Sequence, residues 1–404
     1  MFNKWSDKIS RKMQLNVCKN QNKQVTNTSK AYFDIALIRS GPIPAIGDPR
    51  VEKILKSLSK EFRIIALGWD RETNRYPLAY KNNIVIKHIR LKAPYGKLWI
   101  IFYYPIFWIW IFINLFIYRP KAIYSCNLDT LIPSYIFKTL FSTKLIFDSF
   151  DKFAMAFISP NHRIVYSFID TLENLLASKA DALITVSRDR LYTFGRFKPR
   201  YYGIIMNCPE DKIKRIKDDF SFIKNKYHNH FILVYAGAIR YNRGLLLLDK
   251  VIKNIRNVRL ILAGRIRENI GFILKNPNIE YLGVLEYDKT LSLMSIADAI
   301  PILYDPEVPI NQVANPNKLF EAMMLGVPVI TNVCKEIVEE TGCGLVVEYS
   351  YESLKQAIQY FIDQPNIRKK MGSNGRKAFE EKYNWNTMEK RLLKIIRKIL
   401  DEIE

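Results

Sequence analysis

Two doubly wound α/β domains in tandem, each a parallel sheet covered by helices on both faces, are the fold class this 404-residue sequence predicts. Three observations carry that prediction. Short, continuous apolar runs recur along the chain with amphipathic stretches between them, the pattern of strands buried on both faces of a parallel sheet. The pattern breaks around 205–220, where Asn207, Cys208, Pro209 and Glu210 precede a charged stretch, and then resumes. The length suits two domains of ordinary size better than one very large sheet.

Taken in order, residues 1–30 are rich in Lys, Asn and Gln and read as a flexible basic and polar tail rather than a targeting peptide. The first domain, residues 31–205, has candidate strands at 33–38, 63–68, 84–89, 121–125, 144–148 and 182–187. The second, residues 206–385, repeats the scheme with strands at 231–236, 258–263, 279–283, 299–303 and 327–331. Its helices are expected around 244–254, 288–297, 316–325 and 352–362. Residues 386–404 read as one amphipathic helix with Leu392, Leu393, Ile396, Ile399 and Leu400 on one side.

With 62 Lys and Arg against 39 Asp and Glu, the formal charge is +23, so anionic partners are expected: a phosphorylated substrate, an anionic membrane surface or nucleic acid. Nucleic acid is set aside, because there is no RNP-like aromatic motif, zinc-finger spacing or evident helix-turn-helix. Five scattered cysteines and four unclustered histidines argue for a reducing compartment and against a metal site.

The stretch NPNKLFEAMMLGVPVIT, residues 315–331, is the most informative in the chain. Asn315 is a good N-cap, and Pro316 fits the first helical position, where a missing N–H costs nothing. The first-turn amides of Asn317 and Lys318 then face whatever lies beyond the helix end. The helix dipole and the Lys318 ammonium add positive potential, which makes a site for an anion such as a diphosphate. Glu321, one turn on, is placed to bind vicinal hydroxyls. Leu319, Phe320, Met323 and Met324 supply the packing face, Gly326 suits the C′ position and Pro328 stops the helix. Phosphate at the helix end and a hydroxyl acceptor one turn later describe a nucleotide site. An amphipathic helix with an exposed Glu is the plainer alternative.

That string resembles the donor-binding helix of GT-B glycosyltransferases, specifically the retaining family-four type (glycosyl transferases group 1), in the PNKLFEAM variant of a membrane-associated subgroup. The resemblance runs along nearly the whole chain from about residue 31. It includes DPRVEKILKSLSKEF (48–62), SCNLDTLIP (125–133), FDSFDKFA (147–154), YAGAIRYNRG (235–244) and LYDPEVPINQVANPNKLFE (303–321). It implies a GT-B fold, two Rossmann-like domains facing a cleft, with the terminal helix crossing back to the first domain near Tyr383 and Trp385. It further implies that Glu321 binds the ribose of a nucleotide sugar and that Arg243 contacts its diphosphate. The chain departs from the family in three places. Val313 stands where a second Glu contacts the donor sugar, which leaves Asn311, Gln312 or Asn315 to that role. Ala238 stands where the phosphate loop has an Arg, with Arg240 as a substitute. Cys126 stands where many relatives place a His.

Open α/β sheets bind ligands beyond the carboxyl ends of their strands. Gly41, in Ser40-Gly41-Pro42, lets backbone approach a donor sugar or simply turns the chain. Asn127 and Asp129 follow the fourth strand, Asp129 as a cap for a helix beginning at Thr130. Of Asp148 and Asp151, one binds acceptor or assists its proton transfer, and the other is a cap or ion pair; Asp151 is assigned the first role. Gly237 and Gly244 let amides approach a phosphate onto which Arg243 forks, and Gly264 with Arg265 form a second such loop. Arg50 and Arg188 are further candidate cations, with a solvated surface as the default.

The expected activity is a hexosyl or N-acetylhexosaminyl transfer, with retention implied by the resemblance alone. A nucleotide-diphosphate sugar is the donor and a glycan or lipid-linked molecule the acceptor. The setting is the cytoplasmic face of the cell membrane, in cell-surface polysaccharide or glycoprotein glycan assembly. Arg243, Lys318 and Asp151 are the catalytic candidates; Gly41, Gly237, Arg240, Gly264, Asn315, Asn317 and Glu321 are the substrate-binding ones. No metal and no cofactor are expected, cations and amides neutralising the leaving diphosphate. A GT-B protein that binds a nucleotide or glycan without transferring it, and a sugar-nucleotide epimerase, are the alternatives.

Residues 98–118, LWIIFYYPIFWIWIFINLFIY, carry no charge and as a helix would span about 30 Å. One crossing would put strands of a single sheet on opposite sides of a bilayer, Pro105 signals a break, and the segment is too aromatic for a covering helix. A monotopic insertion is therefore expected, with Lys92, Lys97, Arg119 and Lys121 on anionic lipid. Each such contact is worth on the order of 1 kcal/mol.

Overall fold

The computed structural model describes residues 33–43, 49–73, 83–94 and 98–402; the expected tail at 1–30 and the lipid contact of Lys97 lie outside them. The first domain is a seven-stranded, all-parallel sheet in the order β3-β2-β1-β4-β5-β6-β7. Its strands are β1 (Ile35–Arg39), β2 (Ile64–Asp70), β3 (Ile84–Arg90), β4 (Ala122–Cys126), β5 (Lys144–Ser149), β6 (Ala182–Thr185) and β7 (Tyr201–Ile204). Strands β1, β2, β4 and β5 are the continuous apolar runs of the sequence, and nearly every residue in them is buried.

Alternate residues of these strands feed two layers. Ile38, Leu67, Ile123 and Phe147 meet the helices Tyr104–Tyr118, Leu128–Phe141 and Arg163–Lys179. Leu37, Ala66, Tyr124 and Ile146 meet the helix Pro49–Leu58 and the terminal helix Trp385–Asp401. The terminal helix therefore returns to the first domain. At the crossing point the Trp385 backbone N–H donates to the Pro209 carbonyl at 3.0 Å, and its indole donates to Ser57 Oγ at 3.1 Å.

In the second domain β8 (Phe231–Ala236), β9 (Val258–Ala263) and β10 (Ile279–Tyr281) pair in the order β10-β9-β8, and β11 (Ile300–Ile302), β12 (Val329–Thr331) and β13 (Gly344–Val346) in the order β11-β12-β13. A parallel bridge between Leu233 and Ala299 joins the two sets through β8 and β11. Strands β7 and β13 were not among those expected. Both are half-exposed edge strands, so neither carries the buried apolar run that marks a central strand.

The charge-free segment is a 3₁₀ turn, Leu98–Phe102, followed by a 15-residue helix, Tyr104–Tyr118, with Pro105 at its start. This helix does cover the sheet, contrary to expectation: Phe107, Ile111 and Leu115 are buried beneath it. Its aromatic content is accommodated by packing against other rings, such as Trp69 on Phe107 at 4.7 Å and Phe112 on Phe137 at 5.4 Å. Among the described residues no helix is long and apolar enough to cross a membrane.

Candidate active site

Strand order reverses between β1 and β4 in the first sheet and between β8 and β11 in the second, so crevices open at the carboxyl ends of those pairs. A cleft of about 910 Å³ lies between the domains. Lys53 and Lys56 of the helix Pro49–Leu58 line one wall; Gly237, Gly264, Tyr287, Lys318 and Glu321 line the other.

The glycine loops follow from close backbone approach. Gly237 and Gly264 adopt φ of +140° and +137°, and a Cβ on Gly264 would sit 1.8 Å from the Gly237 carbonyl oxygen. A Cβ on Gly237 would lie 2.9 Å from Lys318 Cε, so the lysine stem runs across a surface only glycine leaves clear. Lys318 Nζ rests 3.7 Å from the centroid of the Tyr235 ring. Burial, reinforced by the Arg243 charge and opposed by Glu321, pushes the Lys318 pKa down to about 7.

Arg243, in the 3₁₀ turn Tyr241–Arg243, stacks over the Tyr304 ring at 4.0 Å and donates Nη1 to Asn311 Oδ1 at 2.8 Å. Asn311 is itself fixed by donating to the Asp305 carbonyl at 2.9 Å. An aromatic face and a neutral amide hold the guanidinium, so its positive charge is available to an anion. Glu321 is buried in the helix Asn317–Leu325 and accepts a hydrogen bond from the Tyr287 hydroxyl. Burial raises its pKa, while that bond and the Lys318 charge pull it down. Cation and carboxylate thus lie one helical turn apart at one cleft wall.

Several candidates stand elsewhere. The helix starts at Asn317 with Pro316 as its N-cap residue at φ −73° and ψ 136°, and no side chain caps it. The extended Pro316 puts Asn315 one residue too far out to cap; its amide is buried, with both Oδ1 and Nδ2 unpartnered. Arg240 is exposed ahead of the 3₁₀ turn and does not line the cleft. Gly41 is buried, its carbonyl accepting the Trp69 N–H at 3.0 Å, which ties the end of β1 to β2. Asp129 does not precede its helix: Leu128–Phe141 has already begun, and Asp129 is buried in the first turn, its pKa raised by burial.

Asp151 and Asp148 have separate environments. Asp151 is half-exposed and pairs with Arg190 Nη1 at 3.2 Å. Buried Arg190 also bonds the Phe150 carbonyl and, through Nη2, the Val313 carbonyl of the second domain at 3.3 Å. The Tyr304 phenol lies in the field of both Arg243 and Asp151. Asp148 is a core ion pair: Arg50 donates to its two oxygens at 3.2 and 2.7 Å, and the Tyr124 hydroxyl at 2.5 Å. Arg50 also donates to the Ile205 carbonyl at 2.6 Å, anchoring the inter-domain linker, and Arg188 pairs with Glu336 across the domains. Among the described residues no three His, Cys, Asp or Glu side chains gather as a metal site requires.

Comparison with known proteins bears on this arrangement. The profile of the family described as Glycosyl transferases group 1 matches residues 216–378, the part that carries the glycine loops, Arg243, Lys318 and Glu321. An uncharacterized glycosyltransferase of Methanocaldococcus jannaschii is 23% identical over 259 residues, 59% of this chain and 64% of that protein. The alignments span less than two thirds of the length of the curated relatives the chain matches. Among solved structures, sucrose-phosphate synthase from Thermosynechococcus elongatus superposes with a TM-score of 0.75 at 14% identity, covering 91% of this chain and 99% of that one. Anabaena HepE in complex with UDP superposes with a TM-score of 0.67 at 15% identity, covering 90% and 99%. The chain has the GT-B fold, and its residues 216–378 match the group 1 glycosyltransferases.

Proposed function

We propose that this protein is a retaining glycosyltransferase that moves a sugar from a nucleotide-diphosphate sugar to a lipid-linked or glycan acceptor at the cytoplasmic face of the cell membrane. One observation carries the reading: Lys318 and two stacked glycine loops line an inter-domain cleft at a helix start, with buried Glu321 one turn on and the Arg243 charge acting on Lys318. The family match over the same residues and the UDP held by HepE support a nucleotide donor. The donor diphosphate lies against Lys318, Arg243 and the amides of Asn317 and Lys318, which have no acceptor within their own helix. Glu321, preset by Tyr287, takes the ribose hydroxyls.

In the transfer, the bond from the anomeric carbon to the phosphate oxygen breaks and its electron pair leaves on the diphosphate. The acceptor oxygen bonds the anomeric carbon from the same face, and the acceptor proton passes to the departing phosphate oxygen. Fixed cations and helix-end dipoles, already oriented in a partly dry cleft, stabilise that charge. Asp151, placed by Arg190, orients the acceptor hydroxyl. Residues 98–118 meet the membrane, where the acceptor resides.

Thermal unfolding with a panel of nucleotide sugars tests the donor, and transfer to a membrane extract tests the reaction. A shift with one donor is expected, diminished in Glu321→Ala. Turnover in Arg243→Ala should fall by roughly 10² or more, as when one preorganised donor to a developing anion is removed. Wild-type transfer by both variants overturns the assignment.

A further inference from the structure

The three helices on one face of the first sheet, Tyr104–Tyr118, Leu128–Phe141 and Arg163–Lys179, lie side by side and are as apolar outside as beneath. On the first, Ile106, Ile109, Ile113, Phe116 and Ile117 are exposed at helical spacing. On the second, Ile136, Leu140 and Phe141 continue the surface, joined to the first by the ring contact of Phe116 with Phe141 at 5.8 Å. On the third, Ile164 is 86% exposed and Phe168 65%, with Leu175 completing a stripe two turns further on. The preceding 3₁₀ turn adds Trp99 and Phe102. About half of the large apolar side chains exposed among the described residues lie on this one face. A surface of that extent marks an interaction site.

The charges identify what covers it. The first helix holds no acidic residue; Asp129 and Glu173 of the other two are buried, and Asp170 is paired with Lys152 at 3.1 Å. Of the exposed charges at the margins, Arg119, Arg163 and Lys179 are basic, and Lys121 is paired with Asp34 at 3.2 Å. A second copy of the chain laid on this face would set Arg119, Arg163 and Lys179 against like charges, with Asp34 already held by Lys121. An anionic lipid surface answers them all, and its acyl region takes the apolar stripes.

We propose that this three-helix plate docks on an anionic bilayer, with the helix Arg163–Lys179 inserting alongside the segment 98–118. Lipid contact is thereby spread over elements some 60 residues apart in the chain, and the plate lies in the membrane plane. The short helix Phe153–Phe157, whose Phe157 is 63% exposed, joins the plate to Asp151. A lipid-linked acceptor therefore leaves the bilayer beside Asp151, a point that rests on the reading of the cleft given above.

The test is flotation of the full chain with vesicles of phosphatidylglycerol and phosphatidylcholine, set against phosphatidylcholine alone. Wild type should float with the anionic vesicles. Ile164→Glu with Phe168→Glu, and separately Ile109→Glu with Ile113→Glu, should each lower the bound fraction at least tenfold while the UDP-induced thermal shift stays as in wild type, which shows that both variants are folded. Flotation of the Ile164→Glu, Phe168→Glu variant at the wild-type level overturns the proposal, as does a wild-type protein that ignores anionic vesicles. A wild-type dimer in sedimentation that the same substitutions convert to monomer, without lipid binding, overturns it in favour of self-association. Flotation without any UDP shift sinks the donor reading and leaves the docking intact.

Discussion

Lys318 is packed between a glycine loop and the Tyr235 ring, and with a pKa of about 7 it is partly neutral in neutral solution. A diphosphate beside it favours the charged form, so donor binding should draw a proton onto the amine. Calorimetry of UDP binding at pH 8, in buffers of different ionisation heat, should register that uptake, and affinity should weaken as pH rises from 7 to 9. Lys318→Arg, charged throughout, should show neither effect. Stability has the opposite sign. The folded value lies below the ordinary 10.5, so between the two the unfolded chain binds more protons, and the ligand-free protein gains stability as pH rises through that window. Lys318→Met should flatten the gain in thermal melts.

At the scale of the element, a buried charge cluster fixes the helix Arg163–Lys179 to the Asp151 loop. Fully buried Lys152 donates to Asn174 Oδ1 at 2.6 Å and pairs with Asp170 at 3.1 Å and Glu173 at 3.5 Å, while Glu173 accepts the Phe153 N–H at 2.9 Å. Burial pushes the Glu173 carboxyl up to about 7. Lys152→Met leaves that carboxyl without its cation and should cost about 3–5 kcal/mol at pH 8, the usual cost of breaking a buried pair from one side. At pH 5 Glu173 takes up a proton, no buried charge is orphaned, and urea denaturation should show a clearly smaller loss. The sign follows from the raised pKa: the stability Glu173 contributes is present below its ordinary value of 4.5 and is lost as pH rises through 7. The same loop leads into Phe157, so this cluster links the exposed apolar face of the three helices to Asp151.

For the molecule as a whole, the terminal helix binds the two domains together through its apolar face. Trp385, Leu392, Ile396 and Ile399 are buried against the first sheet and the helix Pro49–Leu58. Trp385→Ala should destabilise by about 3–5 kcal/mol, because it opens a cavity and strips the Ser57 hydroxyl of its donor. The ion pairs along the same seam, Arg397 with Glu61 and Lys60 with Glu389, are half-exposed, and Glu61→Ala should change stability by less than about 1 kcal/mol. Denaturant titrations of the two variants separate packing from surface charge as the source of domain association.

The sequence by itself determined the parallel α/β class, the central strands and the helix Asn317–Leu325. Each of these is written in one element's own periodicity or in a local string such as NPNKLFE, and burial of both sheet faces leaves that signal intact. Gly237, Gly264, Lys318 and Glu321 were legible for the same reason, since glycine loops and helix starts are local features. Tertiary structure alone decided the rest. Tyr235, Tyr287 and Tyr304, which seat Lys318, Glu321 and Arg243, come from other elements, and no spacing announces them. One extended proline moved Asn315 out of capping range. Arg190, which carries Asp151 to Val313, acts across the domain boundary. The sequence marked one charge-free segment, whereas the exposed apolar face is shared by three helices, because which face of a helix stays uncovered depends on what packs beside it rather than on its own residues.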